Sequence, residues 1–582
     1  MRKLLAFVLS CALLAQPTLL LAQTDRGAII RYNSRHHPVV DTAGMVASQN
    51  AVASEVGAAI LADGGNAVDA AIGVGFALAV VLPRAGNIGG GGFMLAYLAE
   101  SDETIAIDYR EMAPPRASRD MFLDEDGDVD PARARYSHLS SGVPGTVAGL
   151  WEAHQRYGSM PWKRLVQPAV DLARNGIVVS HDLANLLASR QERLSRFPAA
   201  RDYFYKPDGS AYLAGEVLVQ SDLADSLELI ANDGRDAFYK GSIAQLIAAE
   251  MAANGGLIDA DALARYEPTL RQPVRGAYRG YEVVSMPPSS SGGVHIIQML
   301  NILENFPMSE FGAGSADSVH VLTEAMKLAY ADRSRHLGDM DFYDVPIDWL
   351  TDEDYGRSLA ESIDMQKARR SVDIAPGEPA AYESPDTTHF SVMDAYGNAV
   401  SNTYTLNFSY GSHIAVSGAG FLLNNEMDDF SSKPGVPNAF GLIGGEANAI
   451  EAGKRPLSSM TPTMIFFDGE PWLVTGSPGG SRIITTVLQM IVNVIDHGMN
   501  IADATSVARI HHQWLPDVLR LESGFSPDTV RELERRGHQV QEGQAMGSLQ
   551  SVIKRDENYR GFSDPRRPEA GSVGPAMLKA KQ

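Results

Sequence analysis

Two threonines, Thr387 and Thr405, flank a short turn signal, Ala395-Tyr396-Gly397, inside a run rich in Thr, Val, Phe and Tyr. Glycine at the last position of a three-residue loop suits a hairpin whose final loop residue takes positive φ, so the run is predicted to form two antiparallel strands. With Tyr396 at the loop centre, Asp394 faces Asn398, and equal steps outward set Thr387 opposite Thr405. Asn407, two residues beyond Thr405, then projects from the same face. A threonine hydroxyl is a poor nucleophile unless a base sits beside it, and the α-amine of the same residue can be that base. Such chemistry requires cleavage of the Asp386-Thr387 bond. The freed amine would titrate near ~7.7–8 and could take the proton from its own Oγ without a histidine or a metal. Read alone, Thr387-Thr388 is also ordinary strand composition.

Several elements must position this hairpin. Val52 to Val81 is spaced as two packed helices around Gly64-Gly65-Asn66. Gly89 to Gly92 opens a strand through Leu98; no Lys-Ser/Thr follows and a strand rather than a helix comes next, so a phosphate loop is rejected, and the glycines are read as letting this backbone pass close to another strand or to the site. Thr104 to Tyr109 is a further strand ending at Arg110, which by itself reads as a solvated charge. The acidic run Asp124 to Asp130 lacks the glycine position and the twelfth ligand of a calcium loop and reads as a solvated turn. Ser141 to Arg271 looks like helical scaffold without chemistry, and Pro287 to Gly293 leads into a helix from Val294 with a structural role. Thr351 to Ser384 turns polar and is expected to be exposed and mobile up to Asp386. Glu426 and Asp429, among Asn424, Asn425 and Met427, point to a tight, partly buried turn. Gly479-Gly480 precedes an amphipathic helix, Ile483 to Ile495, whose first amides could stabilise an oxyanion. His511-His512 point apart in a strand and have no spaced partner, so no metal is read there.

Composition narrows the class. Lys and Arg total 49 against 71 Asp and Glu, a net charge of −22, which excludes nucleic acid as a partner. Met1-Arg2-Lys3 followed by the apolar run Leu4 to Leu21 reads as a secretory signal cleaved near Ala22, giving an exported chain with no membrane span after removal of the signal. Cys11, the only cysteine, would leave with it, so the mature chain enters an oxidising compartment without thiols or disulfides. No repeat or low-complexity tract interrupts the rest, which predicts one compact body.

Thr387-Thr388-His389, Tyr404-Thr405-Leu406-Asn407, Leu423 to Phe430, Arg455 to Met460 and Thr475 to Arg482 occur in order, preceded by Gly86 to Met94 and Asp108 to Pro114. Any one of these motifs is weak. Together they resemble the γ-glutamyltranspeptidases (glutathione hydrolases) of the N-terminal-nucleophile hydrolase superfamily, across nearly the whole mature chain. The resemblance implies an α+β fold, a four-layer αββα sandwich of two antiparallel sheets between helical layers. It also implies a precursor that cuts itself between Asp386 and Thr387, giving a signal peptide 1–22, a large subunit 23–386 and a small subunit 387–582 that stay associated. Thr387 would be the nucleophile, Thr405 would orient its Oγ, and Gly479 and Gly480 would hold the oxyanion. Arg110, Ser458 and Ser459 would bind the substrate α-carboxylate; Asn407, Glu426 and Asp429 would bind its α-amino group. Arg suits that task because its planar guanidinium grips both carboxylate oxygens. Lys433 to Gly445 resembles the family's lid loop, with Phe440 where the best-known bacterial members have Tyr; Phe can cover a pocket but cannot donate a hydroxyl hydrogen bond. No cofactor is implied. The substrates implied are glutathione and other γ-glutamyl compounds, with water, amino acids or peptides as acceptors. Two alternatives stand beside this reading: a glutaryl-type cephalosporin acylase of the same fold, and a non-catalytic periplasmic binding protein.

Overall fold

The computed structural model describes residues 34–374, 387–436, 438 and 442–580. The predicted hairpin forms, with strands Thr388–Asp394 and Ala399–Thr405 antiparallel. His389 faces Thr403 and Met393 faces Ala399, a register centred on Tyr396, and Gly397 takes φ 90° at the last loop position. Asp394 locks the turn. Its Oδ1 accepts from the amides of Tyr396 and Asn398, while Oδ2 accepts from the Asn398 side chain and from the amide of Ala67, the first residue of the helix Ala67–Val81. One carboxylate therefore fixes both the loop and its attachment to the helical layer.

The hairpin lies in the middle of a seven-stranded antiparallel sheet, between Gly44–Ser48 on one side and Gly91–Leu98 and Glu103–Tyr109 on the other. A second seven-stranded sheet, which includes Glu470–Thr475, Thr463–Phe467 and Gln550–Arg555, stacks on it. Alternation along Thr388–Asp394 explains the layering. Phe390 and Val392 join the core shared with helices Ala51–Ala62 and Ala67–Val81, while Met393 joins the core between the sheets and Ser391 Oγ donates to Gln550 O of the second sheet at 2.9 Å. Helices Gly292–Leu303, Ala316–His336 and Arg482–Ile495 cover the far side. This is the expected αββα sandwich.

The close strand approach expected at the glycines is present: a Cβ on Gly90 would lie 2.0 Å from Thr405 O and one on Gly92 2.4 Å from Thr403 O. The Thr351–Ser384 stretch is largely exposed over its described part, as expected, but it carries a helix and anchoring hydrogen bonds that the sequence did not show. Glu353–Glu361 is a helix capped by Asp352, Lys327 Nζ donates to Arg369 O at 2.7 Å, and Trp514 Nε1 donates to Ser371 O at 2.8 Å. Polar composition concealed this helix because it buries only Gly356 and Ala360. The leader 1–22, Asp386 and Phe440 lie outside the described residues. Among the described residues no helix is long and apolar enough to cross a membrane.

Candidate active site

The open end of the hairpin carries the two threonines. Thr387 Oγ donates to Thr405 Oγ at 3.4 Å, a long contact, and Thr405 Oγ accepts from the Asn407 amide at 2.8 Å. Asn407 does not continue the strand. The strand stops at Thr405, and Asn407 takes φ 75°, a region asparagine tolerates, with its side-chain amide donating to Asn425 O at 3.0 Å. It reaches the pocket through a turn tied to Thr405, not through strand alternation.

Arg110 leaves the end of Glu103–Tyr109 and is 1% exposed, so it is not the solvated charge its strand-end position implied. The helical scaffold that showed no chemistry in the sequence holds it: Tyr266 Oη donates to Arg110 O at 2.9 Å, and Arg271 pairs at 2.7 Å with Asp108, which accepts from the Arg110 amide. The guanidinium lies 2.7 Å from Glu426, 2.5 Å from Asp429 and 3.5 Å from Glu111. Glu426 and Asp429 share one short 3₁₀ turn, anchored by the Asn424 side chain on Gly89 O and Gly142 O. Burial pushes all three carboxyls up, Glu111 to about 8, against the pull of Arg110. One guanidinium does not balance three buried carboxylates, so the cluster favours holding a proton at neutral pH.

A second cation, unrecognised in the sequence, lines the same pocket. Arg333, on the helix Ala316–His336, is 5% exposed and lowered to about 10 by burial; it donates to Ser291 Oγ at 2.9 Å and Ser459 Oγ at 3.2 Å. An arginine near the end of a long helix reads as a solvated face, and nothing local marks it otherwise. The serine run 289–291, expected to be merely structural, grips the Ser458–Met460 backbone: Ser291 Oγ donates to Ser458 O at 2.8 Å and Ser290 Oγ to Met460 O at 2.6 Å.

These residues line one pocket. Arg110, Arg333, Thr387, Thr405, Asn407, Glu426, Asp429, Ser458, Ser459 and Gly480 all border it, with Asn438 and Leu442; Gly479, at φ 138°, is not among the lining residues. The cavity is about 20 Å³, room for about one water, so a larger ligand must part the Arg110 cluster or displace Asn438 and Leu442 to enter. Of the histidines considered for metal, His511 Nδ1 is bonded to Thr485 Oγ at 2.9 Å and His512 Nε2 to Asp517 at 3.2 Å. Elsewhere His320, Glu324 and His538 bring ligand-type atoms together, but they are engaged with each other and with Lys327: His320 Nδ1 to His538 Nε2 at 2.7 Å, Lys327 Nζ to Glu324 at 2.9 Å.

A model of the gamma-glutamyltranspeptidase family matches residues 53–574. The chain is 56% identical over 540 residues to the glutathione hydrolase proenzyme of Escherichia coli (strain K12), a match covering 92% of this chain and 93% of that protein. Among solved structures, a cephalosporin acylase from Bacillus halodurans is similar with a TM-score of 0.82 at 27% identity, covering 94% of this chain and 98% of that one. The Helicobacter pylori gamma-glutamyltranspeptidase structure is similar with a TM-score of 0.56 at 42% identity, covering 60% of this chain and 97% of that one. On a family match that spans the Arg110 strand, the Thr387 hairpin and the Gly479-Gly480 segment alike, this chain belongs to the gamma-glutamyltranspeptidase family.

Proposed function

We propose that this chain is an exported, periplasmic, self-processing γ-glutamyltranspeptidase that takes the γ-glutamyl group from glutathione or a related donor and passes it to water, an amino acid or a peptide. The observation that carries this reading is the pocket itself, in which the Thr387–Thr405 hydroxyl pair shares one lining with Arg110, Arg333, Ser458, Ser459, Glu426 and Asp429. A zwitterionic α-amino acid end needs groups of both signs beside the nucleophile. In processing, Thr387 Oγ adds to the carbonyl of Asp386, the peptide nitrogen leaves as the new α-amine, and water opens the resulting ester. Residues 23–386 and 387–582 then remain together as large and small subunits.

In turnover the α-amine takes the proton of Thr387 Oγ as the oxygen adds to the donor γ-carbonyl. Amides of Gly479 and Gly480 hold the oxyanion, and Thr405 orients Oγ. The proton passes to the leaving amine, an acyl-enzyme remains, and water or an acceptor amine reverses the sequence. Arg110 with Ser458 and Ser459 binds the α-carboxylate; Asn407, Glu426 and Asp429 bind the α-ammonium. A glutaryl acylase remains the second reading because of the similarity to the cephalosporin acylase, but Asn407, Glu426 and Asp429, read as acceptors for an α-ammonium, disfavour a donor without that group. Denaturing mass measurement tests the proposal. Wild type should give two chains, the smaller beginning Thr387-Thr388-His389, and Thr387→Ala should stay whole. Cleavage of that variant at the same bond would assign processing to another protease, and an uncut wild type would favour a binding protein.

A further inference from the structure

The segment that carries Gly479 and Gly480 does not hold itself in place. It leaves Glu470–Thr475 at Gly476, whose carbonyl accepts from the Gln550 amide at 3.1 Å, and continues into Ser477, which is fully buried. Ser477 Oγ donates to Pro478 O at 2.7 Å and accepts from the Ser548 amide at 2.8 Å, so a single hydroxyl joins the glycine segment to the Met546–Leu549 turn. The approach is close. Gly547 takes φ 69°, a Cβ there would lie 2.7 Å from Ser477 Oγ, and a Cβ on Gly479 would lie 3.6 Å from Gly547 Cα.

Buried charges grip this turn at both ends. Glu522 Oε1 accepts from the Met546 amide at 2.5 Å, Arg509 Nη1 donates to Met546 O at 2.5 Å, and Asp564 Oδ2 accepts from the Leu549 amide at 3.0 Å. These side chains are joined to one another directly and through Arg566: Arg509 to Asp564 at 2.5 Å, Arg566 to Glu522 at 2.5 Å and Arg566 to Asp564 at 3.2 Å. Two cations and two carboxylates therefore close a charge-assisted network, the kind of arrangement that rigidifies what it holds. None of the four lines the pocket.

We propose that Ser477 and the Met546–Leu549 turn, clamped by Arg509, Asp564, Glu522 and Arg566, are positioning residues that fix the Gly479-Gly480 backbone for the oxyanion. The inference rests on the reading of those glycines as oxyanion donors. Oxyanion amides act by being in place before charge develops, so a small displacement of their backbone is felt in the chemical step and not in donor binding.

The test uses the processed enzyme and L-γ-glutamyl-p-nitroanilide. Ser477→Ala is expected to be cut normally and to lose about ten- to a hundredfold in kcat, counted per active centre from the p-nitroaniline burst. KM should hold to within about twofold. Inhibition by L-glutamate, which brings both α-groups but no oxyanion, should be unchanged. Inhibition by the γ-boronic acid analogue of L-glutamate, whose tetrahedral adduct presents an oxygen to the same amides, should weaken by the same factor as kcat. Gly547→Ala, which forces the turn off Ser477, should repeat the pattern, and if it fails to fold, Ser477→Ala decides. Unchanged kcat in Ser477→Ala, an equal loss of L-glutamate and boronate affinity, or a chain that stays uncut overturns the inference. A wild-type enzyme inert toward the anilide instead refutes the reading beneath it.

Discussion

Deleting the α-ammonium group from the donor while keeping its α-carboxylate should cost this enzyme far more than one lost hydrogen bond. Arg110 lies 2.7 Å from Glu426 and 2.5 Å from Asp429, and the three side chains are 1%, 0% and 12% exposed. A donor carboxylate can reach Arg110 only by displacing these acids. A γ-glutamyl donor brings an ammonium to take them over, whereas a glutaryl donor leaves them buried without a partner. Removing one member of a buried pair costs about 3–5 kcal/mol. Glu426 can relieve part of this by holding a proton, since burial keeps its carboxyl well above the ordinary range, so the lower end applies. About 3 kcal/mol is a preference of roughly 10²- to 10³-fold in kcat/KM for L-γ-glutamyl-p-nitroanilide over glutaryl-p-nitroanilide. In Asp429→Asn the γ-glutamyl value should fall about ten- to a hundredfold, since a hydrogen bond to a charged group is worth about 1.5–3 kcal/mol. The glutaryl value should hold or rise, because Arg110 sheds one competitor. A wild-type ratio near one would refute the reasoning and move the protein to the acylase reading; so would a variant that loses both donors equally.

Arg110→Lys should process normally but raise KM for a γ-glutamyl donor by about ten- to a hundredfold, because an ammonium cannot make the bidentate grip; an unchanged KM would remove Arg110 from the site. Arg333→Gln removes the donor on Ser291 and Ser459 and should raise KM about tenfold, measured with the same anilide. Acid should destabilise the fold through its buried histidines. Burial holds His295 and His389 at about 3 against an ordinary 6.5. The unfolded chain therefore takes up protons below pH 6.5 that the native chain refuses, so this stability is complete above 6.5 and is lost as pH falls toward 3, by up to about 1.4 kcal/mol per pH unit for each histidine. The thermal midpoint should drop across that window, and less steeply in His389→Gln; an equal slope in the variant would refute the assignment.

What the sequence determined by itself was local. The hairpin register follows from a turn signal and a side-chain period of two, which sets Thr387 against Thr405, and the Gly64-Gly65-Asn66 break between two helices is equally legible. The motifs around Arg110, Glu426 and Gly479 marked candidate residues, though their roles came from resemblance and not from spacing. Only the tertiary structure decided which charges meet. Arg110 and Asp429 are 319 residues apart, and Ser291 and Ser458 are 167 apart. Neither a helical nor a strand period reaches that far, so Arg333 and the serine clamp were invisible in the pattern. Asn407 shows the same limit at short range: strand alternation carried it past Thr405, but the chain turns there because the side chains of Thr405 and Asn425 offer its backbone and that of Phe408 hydrogen bonds that the strand does not. Local sequence sets which residues are available; the stacking of two sheets and the burial that comes with it determine which of them pair and in which charge state.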